Sequence, residues 1–125
     1  MNNARNVVGW FEIYVQDMER AKAFYEKTFD VKLEFLPSPI VKMAAFPMQT
    51  DKPGCPGALV KMEGFQAEGN GTIVYFSCDD CAVEAARAAK SGGKIFKEKF
   101  SIGEYGFISL FNDTEGNLIG LHSMK

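Results

Sequence analysis

One pattern occurs twice in this chain: a strand-like run closes on an acidic residue, and a helix-like run begins at once behind it. In the first copy Phe11, Ile13 and Val15 alternate with Trp10, Glu12 and Tyr14, and Asp17 stands just ahead of a run from Met18 to Phe29. Period-two alternation gives a strand one apolar side to bury, here the Phe11/Ile13/Val15 side. Asp17 suits an N-cap, because its carboxylate accepts from the free N–H groups of a first helical turn, and Glu19 complements the helix dipole. Met18, Ala21, Phe24 and Tyr25 are spaced along one helical face and are expected to cover the apolar side of the strand. In the second copy Thr72 to Asp80 is the strand with its cap, Cys81 to Ser91 the helix, and Gly92-Gly93 the stop, where glycine can take a left-handed C-cap.

Each helix is followed by three further strand candidates. In the first copy these are Val31 to Phe35, Ile40 to Phe46 beyond the turn Pro37-Ser38-Pro39, and Gly57 to Glu63 beyond a loop broken by Pro53, Gly54 and Pro56. In the second they are Lys94 to Glu98, Gly106 to Asn112 and Asn117 to Ser123. The chain is therefore two copies of strand, helix and three strands: a module at about 7–63, a glycine-rich linker at 64–71 and a module at about 72–125. Either copy alone has too little sheet to bury its helix. The expected fold is α+β, two βαβββ modules paired into one domain with a cleft between curved mixed sheets and the helices outside.

Composition excludes several function classes. With 125 residues, 46% of them hydrophobic and 24% charged, the chain can bury a core without metal or disulfide staples. A net charge of −2 with interspersed signs offers no basic surface for nucleic acid. No apolar run approaches a membrane span, and Met1 to Asn6 is polar, so no membrane association and a cytoplasmic location are expected. The odd number of cysteines, three, argues against a disulfide framework. Cys78-Asp79-Asp80-Cys81 has C-x-x-C spacing, but its two aspartates disfavour a thiolate and Cys78 falls on the helix side of its strand. The glycines at 64–71 and 102–106 have no Gly-Lys-Ser/Thr behind them and are read as linker and hairpin.

Val15-Gln16-Asp17 leading to Phe24-Tyr25, Gly92-Gly93 before a strand, and Asp113-Thr114-Glu115-Gly116-Asn117 leading to the last strand resemble the vicinal oxygen chelate superfamily, the glyoxalase, bleomycin-resistance and dioxygenase group. The resemblance covers nearly the whole chain. It implies paired βαβββ modules with helices outside, and a cleft that in many members holds a divalent metal. It also carries the usual metal-ligand positions onto Trp10, Ile73, Gly120 and, most nearly, Lys61, none of which supplies the usual His or Glu. No metal and no other cofactor is therefore expected. A two-fold homodimer is implied as well, since superfamily members often pair modules between chains.

Strand periodicity names the residues opposite the helices: Trp10, Glu12 and Tyr14; Ile73, Tyr75 and Ser77; Leu118, Gly120 and His122; and, provisionally, Leu59, Lys61 and Glu63. The candidate ligand contacts are Trp10, Tyr14, Lys61 and Tyr75, with Glu12 and His122 as candidate acid and base. Each has a plain structural counterpart: the aromatics as packing, Glu12 as half of an ion pair with Lys61, and His122, the single histidine, as a surface residue. The leading expectation is metal-independent binding of a small molecule in an aromatic cleft. The alternatives are a glyoxalase-like lyase or isomerase using Glu12 and His122 or a non-standard metal site, and a purely structural role with the cleft filled by Trp10 and Tyr75.

Overall fold

A computed structural model of the protein describes residues 6–51, 53–64 and 71–125. The polar start before Asn6 and most of the expected linker, 65–70, lie outside the described residues. The described residues hold two α-helices and eight strands in the order β1 (Val8–Tyr14), α1 (Met18–Phe29), β2 (Glu34–Leu36), β3 (Lys42–Ala45), β4 (Ala58–Lys61), β5 (Thr72–Ser77), α2 (Cys81–Lys90), β6 (Lys94–Ser101), β7 (Phe107–Asn112) and β8 (Leu118–Ser123). This is the α+β, twice-repeated βαβββ order expected from the sequence. By contacts the chain forms two compact units, a first of residues 11–72 and a second of residues 6–10 with 73–125. The start of β1 thus belongs with the second copy, where the Ser77 N–H donates to the Val7 carbonyl at 2.8 Å.

In the first unit α1 begins as its sequence requires: Asp17 Oδ1 accepts from the Arg20 N–H at 3.0 Å. The helix ends at Asp30, which takes the left-handed conformation at φ 54° and donates its N–H to the Glu26 carbonyl. Glu26 ties the exit down. Its carboxylate accepts from the Leu33 N–H at 2.8 Å and meets Lys22 Nζ at 3.1 Å, two contacts that hold it below the usual carboxylate pKa. Beneath the helix Val15, Met18, Leu33, Ala44 and Leu59 form the buried core, with Ile13, Ala21, Tyr25, Val31 and Phe46 packed around them. The outermost strand of this unit is β2, followed inward by β3, β4 and β1, with β1 and β4 parallel and the other pairs antiparallel.

Two expectations need correction here. Phe24 is 59% exposed instead of buried. At about 100° per residue it points well away from the stripe of Met18, Ala21 and Tyr25, and it meets the Tyr25 ring edge-on, with centroids 5.0 Å apart. Leu59, which alternation alone groups with the face opposite the helix, is fully buried beneath α1. The register gives the reason: Ile13 pairs with Leu59 in the parallel β1–β4 ladder, and directly paired residues share a face. Ala58 and Val60 therefore join Glu12 and Tyr14, while Lys61 alternates to the helix side.

The second unit repeats the logic. Asp80 caps α2, accepting from the Ala82 N–H at 3.0 Å and from Lys99 Nζ at 2.9 Å. Those contacts, the lysine first, hold its carboxyl below the ordinary range. Cys81, Ala85 and Leu121 are buried, with Phe76, Cys78, Ile95, Phe107 and Phe111 around them. The Cys81 N–H donates to Ser123 Oγ at 3.0 Å, so the last strand helps satisfy the start of the helix. Here β5 and β8 are parallel, and β8, β7 and β6 follow in antiparallel order with irregular register in β6. The Asp113–Asn117 motif is the turn into β8: Asp113 Oδ1 accepts from the Glu115 and Asn117 N–H groups, each at 2.9 Å.

Candidate functional site

In the second unit the β5–β8 register pairs Tyr75 with Gly120 and Ser77 with His122, placing these four on the face opposite Phe76 and Leu121. The β7–β8 register adds Leu110 beside Gly120 and Ile108 beside His122. Tyr75 is 4% exposed, and its ring lies where a Cβ at position 120 would have to go. Gly120 is thus small because an aromatic ring covers the strand there. On this geometry Tyr75 is packed.

His122 is half-buried, and its Nε2 stands 2.6 Å from the Tyr105 carbonyl oxygen. A carbonyl only accepts, so in the neutral imidazole Nε2 carries the proton and Nδ1 keeps its lone pair. No described residue is hydrogen-bonded to Nδ1. Tyr105 closes the short 3-10 turn Gly103–Tyr105 between β6 and β7, and Gly106 behind it, at φ +102°, donates its N–H back to Gly103. The sequence marks this turn by its glycines. It carries no signal that the Tyr105 carbonyl meets His122, because that depends on the pairing of β7 with β8.

In the first unit Tyr14 is nearly buried and donates its hydroxyl proton to Glu12 Oε1 at 3.1 Å. A phenol donating to a half-buried carboxylate gives Glu12 a hydrogen-bond partner from its own strand. The ion pair with Lys61, the structural alternative for Glu12, is not formed in this register. Lys61 is exposed at the end of β4, directly opposite Lys42, on the other side of the sheet from Glu12. Glu63 lies past the end of that strand, in a turn. Trp10 is half-buried and alternates onto the same side of β1 as Glu12 and Tyr14.

The model for the Glyoxalase/Bleomycin resistance protein/Dioxygenase superfamily matches residues 7–121. The chain belongs to that superfamily. A glyoxylase-like domain-containing protein of Didymella fabae is 31% identical over 114 residues, 88% of either chain. The fold is shared with methylmalonyl-CoA epimerase of Mycobacterium tuberculosis, at TM-score 0.69 and 14% identity over 100% of this chain and 93% of that one. It is also shared with a hypothetical protein of Bacillus halodurans C-125, at TM-score 0.71 and 13% identity over 94% of each. A variant of Streptomyces coelicolor methylmalonyl-CoA epimerase, in complex with 2-nitronate-propionyl-CoA, matches at TM-score 0.63 and 16% identity over 94% of this chain and 96% of that one.

The metal of many superfamily members does not fit the residues present. Ile73 has no donor, and the room a side chain at position 120 would need is filled by the Tyr75 ring. Among the described residues no three His, Cys, Asp or Glu side chains converge in a way that could hold a metal ion. The C-x-x-C pair offers no reactive thiolate either. Burial, and then the nearby Glu84 carboxylate, push the Cys78 thiol up to about 12, and Cys81 is fully buried. Because the unfolded thiol titrates near 9, Cys78 adds stability that is intact below about pH 9 and lost as pH rises toward 12. We expect Ellman's reagent to leave Cys78 unmodified at about pH 7.5 in the native protein, where so little of it is thiolate; rapid native labelling of Cys78, read by peptide mass, would contradict that placement.

No helix among the described residues is long and apolar enough to cross a membrane.

Proposed function

We propose that this protein binds a small molecule without a metal, as a member of the glyoxalase and bleomycin-resistance superfamily. His122 supplies the polar contact in the second unit, with Trp10 as an apolar wall. In the first unit the Tyr14–Glu12 pair is a second polar centre. The observation that carries the reading is the 2.6 Å bond from His122 Nε2 to the Tyr105 carbonyl. It presets the imidazole as an acceptor at Nδ1, on a strand whose usual metal-ligand position, Gly120, is covered by an aromatic ring. An imidazole held in one tautomer recognises a hydroxyl or N–H of a ligand at little entropic cost.

A second reading rests on that same bond. A neutral histidine with a lone pair at Nδ1 is equipped to take a proton from a substrate, so His122 can serve as a general base in a lyase or isomerase reaction. The solved epimerases that share this fold make proton transfer at carbon a reasonable first assay.

Both readings are tested on one sample. The purified protein is analysed for metal and for mass by light scattering, then screened against a library of small organic acids, thioesters and aromatic compounds by thermal shift with and without EDTA. We expect less than one metal ion per chain, a homodimer, and hits that EDTA leaves unchanged. Each hit should be lost in Glu12→Gln or in His122→Gln, with stability altered by no more than about 1 kcal/mol. One equivalent of zinc, nickel, manganese or iron per chain, or hits bound equally well by both variants, overturns the proposal. Turnover of a hit that is lost in His122→Gln favours the enzyme.

A further inference from the structure

Lys22 on α1, Lys42 on β3 and Lys61 on β4 are lysines of the first unit that the reading above does not use. Lys42 on β3 and Lys61 on β4 are directly opposite each other in an antiparallel ladder, an arrangement in which like charges repel. No described carboxylate pairs with either, although Glu63 lies close by along the chain. Phe35, on the outermost strand, is paired with the buried Ala44 and so lies on the helix side of the sheet, yet is 49% exposed. The ammonium groups of Lys22 and Lys42 both sit 5.8 Å from the centre of its ring. Next to it the chain leaves an open groove of about 680 Å³, walled by Phe35, Pro37, Ile40, Met43, Lys61 and Glu63.

Stacking of ammonium on ring accounts for Lys22 and Lys42 by itself, each contact being weak at an exposed site. It does not account for Lys61, whose nearest cross-strand neighbour is another cation. Nor does it account for the exposed apolar wall made by Phe35 and by Ile40, which is 62% exposed. One occupant satisfies both features: an apolar or planar body against Phe35 and Ile40, carrying a negative group that lies between Lys42 and Lys61. Lys22 is already paired with Glu26 at 3.1 Å and contributes less. Glu63 faces the same groove and would repel a second negative group, which favours a single compact anion at one end of the ligand.

We propose that this groove is a binding site for an aromatic phosphate or a like organic anion, with Lys42 and Lys61 holding the charge and Phe35 the ring. Phe35, Lys42 and Lys61 lie on the helix side of the first unit's sheet, whereas Glu12 and Tyr14 lie on the other, so the site stands or falls independently of the function proposed above.

The test titrates the 15N-labelled full chain with phenyl phosphate, inorganic phosphate and benzyl alcohol at low salt, following backbone amide shifts. Phenyl phosphate should move the amides of Phe35, Lys42 and Lys61 saturably, and more tightly than either fragment. The double variant Lys42→Gln with Lys61→Gln, which relieves the cross-strand repulsion and so should fold, is expected to weaken binding roughly tenfold. Phe35→Leu should weaken phenyl phosphate and leave inorganic phosphate unchanged. Absence of saturable shifts at these residues, equal binding by the double variant, or equal affinity for phenyl and inorganic phosphate would overturn the proposal.

Discussion

Gly106→Ala is expected to destabilise the protein by roughly 1–3 kcal/mol from backbone strain alone, with steric displacement in addition. Gly106 has φ +102° and ψ −134°, a region that residues with a Cβ avoid. A methyl group at that Cα would run into the Ser123 carbonyl and against Met124. The Ser123 carbonyl is backbone of β8, the strand that carries His122, so it cannot swing aside as a side chain could. Relief has to come from moving the Gly103–Tyr105 turn, and that carries the Tyr105 carbonyl away from His122 Nε2. Two readouts should therefore change together: the denaturation midpoint falls, and the imidazole 15N shifts move from the Nε2–H tautomer toward exchange between the two. A variant as stable as wild type within about 0.5 kcal/mol, with an unchanged tautomer, would show that the turn does not hold the histidine.

The same coupling lies beyond what local sequence can reveal. Caps and periods are local, so Asp17, Asp80 and the helices and strands of the described residues follow from residues within a few positions of one another. The face that opposes the helix in the second unit is legible too, because Phe76 and Leu121 alternate cleanly with Tyr75, Ser77, Gly120 and His122. Register between distant strands is a different kind of information. Ala58, Leu59 and Val60 are all apolar, so alternation sorts them into two sets without saying which set is buried under α1. Pairing Ile13 with Leu59 decides it, and the same pairing carries Lys61 away from Glu12 and sets it against Lys42. The Tyr105 carbonyl is hidden for a related reason, since a backbone oxygen has no residue type to announce it.

The sharpest check on the first unit is the contrast between two large apolar side chains. Leu59 is fully buried among Val15, Met18, Leu33 and Ala44, and truncating it to Ala removes contacts on every side and leaves a cavity beneath α1. Leu59→Ala should cost roughly 2–5 kcal/mol, toward the upper part of that range because β1 and β3 flank it in the sheet and resist collapse. Phe24 is the larger residue and lies on the helix that covers this core, yet at 59% exposure it keeps most of its contact with water in the folded state. Phe24→Ala should cost less than about 1 kcal/mol, chiefly the loss of its edge contact with Tyr25. Sequence spacing alone puts Phe24 on the buried stripe and Leu59 on the open face, which would reverse the order of the two losses. Urea denaturation of both variants separates the alternatives: a larger loss for Phe24→Ala than for Leu59→Ala would mean that α1 is rotated about its axis and that the β1–β4 register is displaced by one residue, with Glu12 then turned toward the helix.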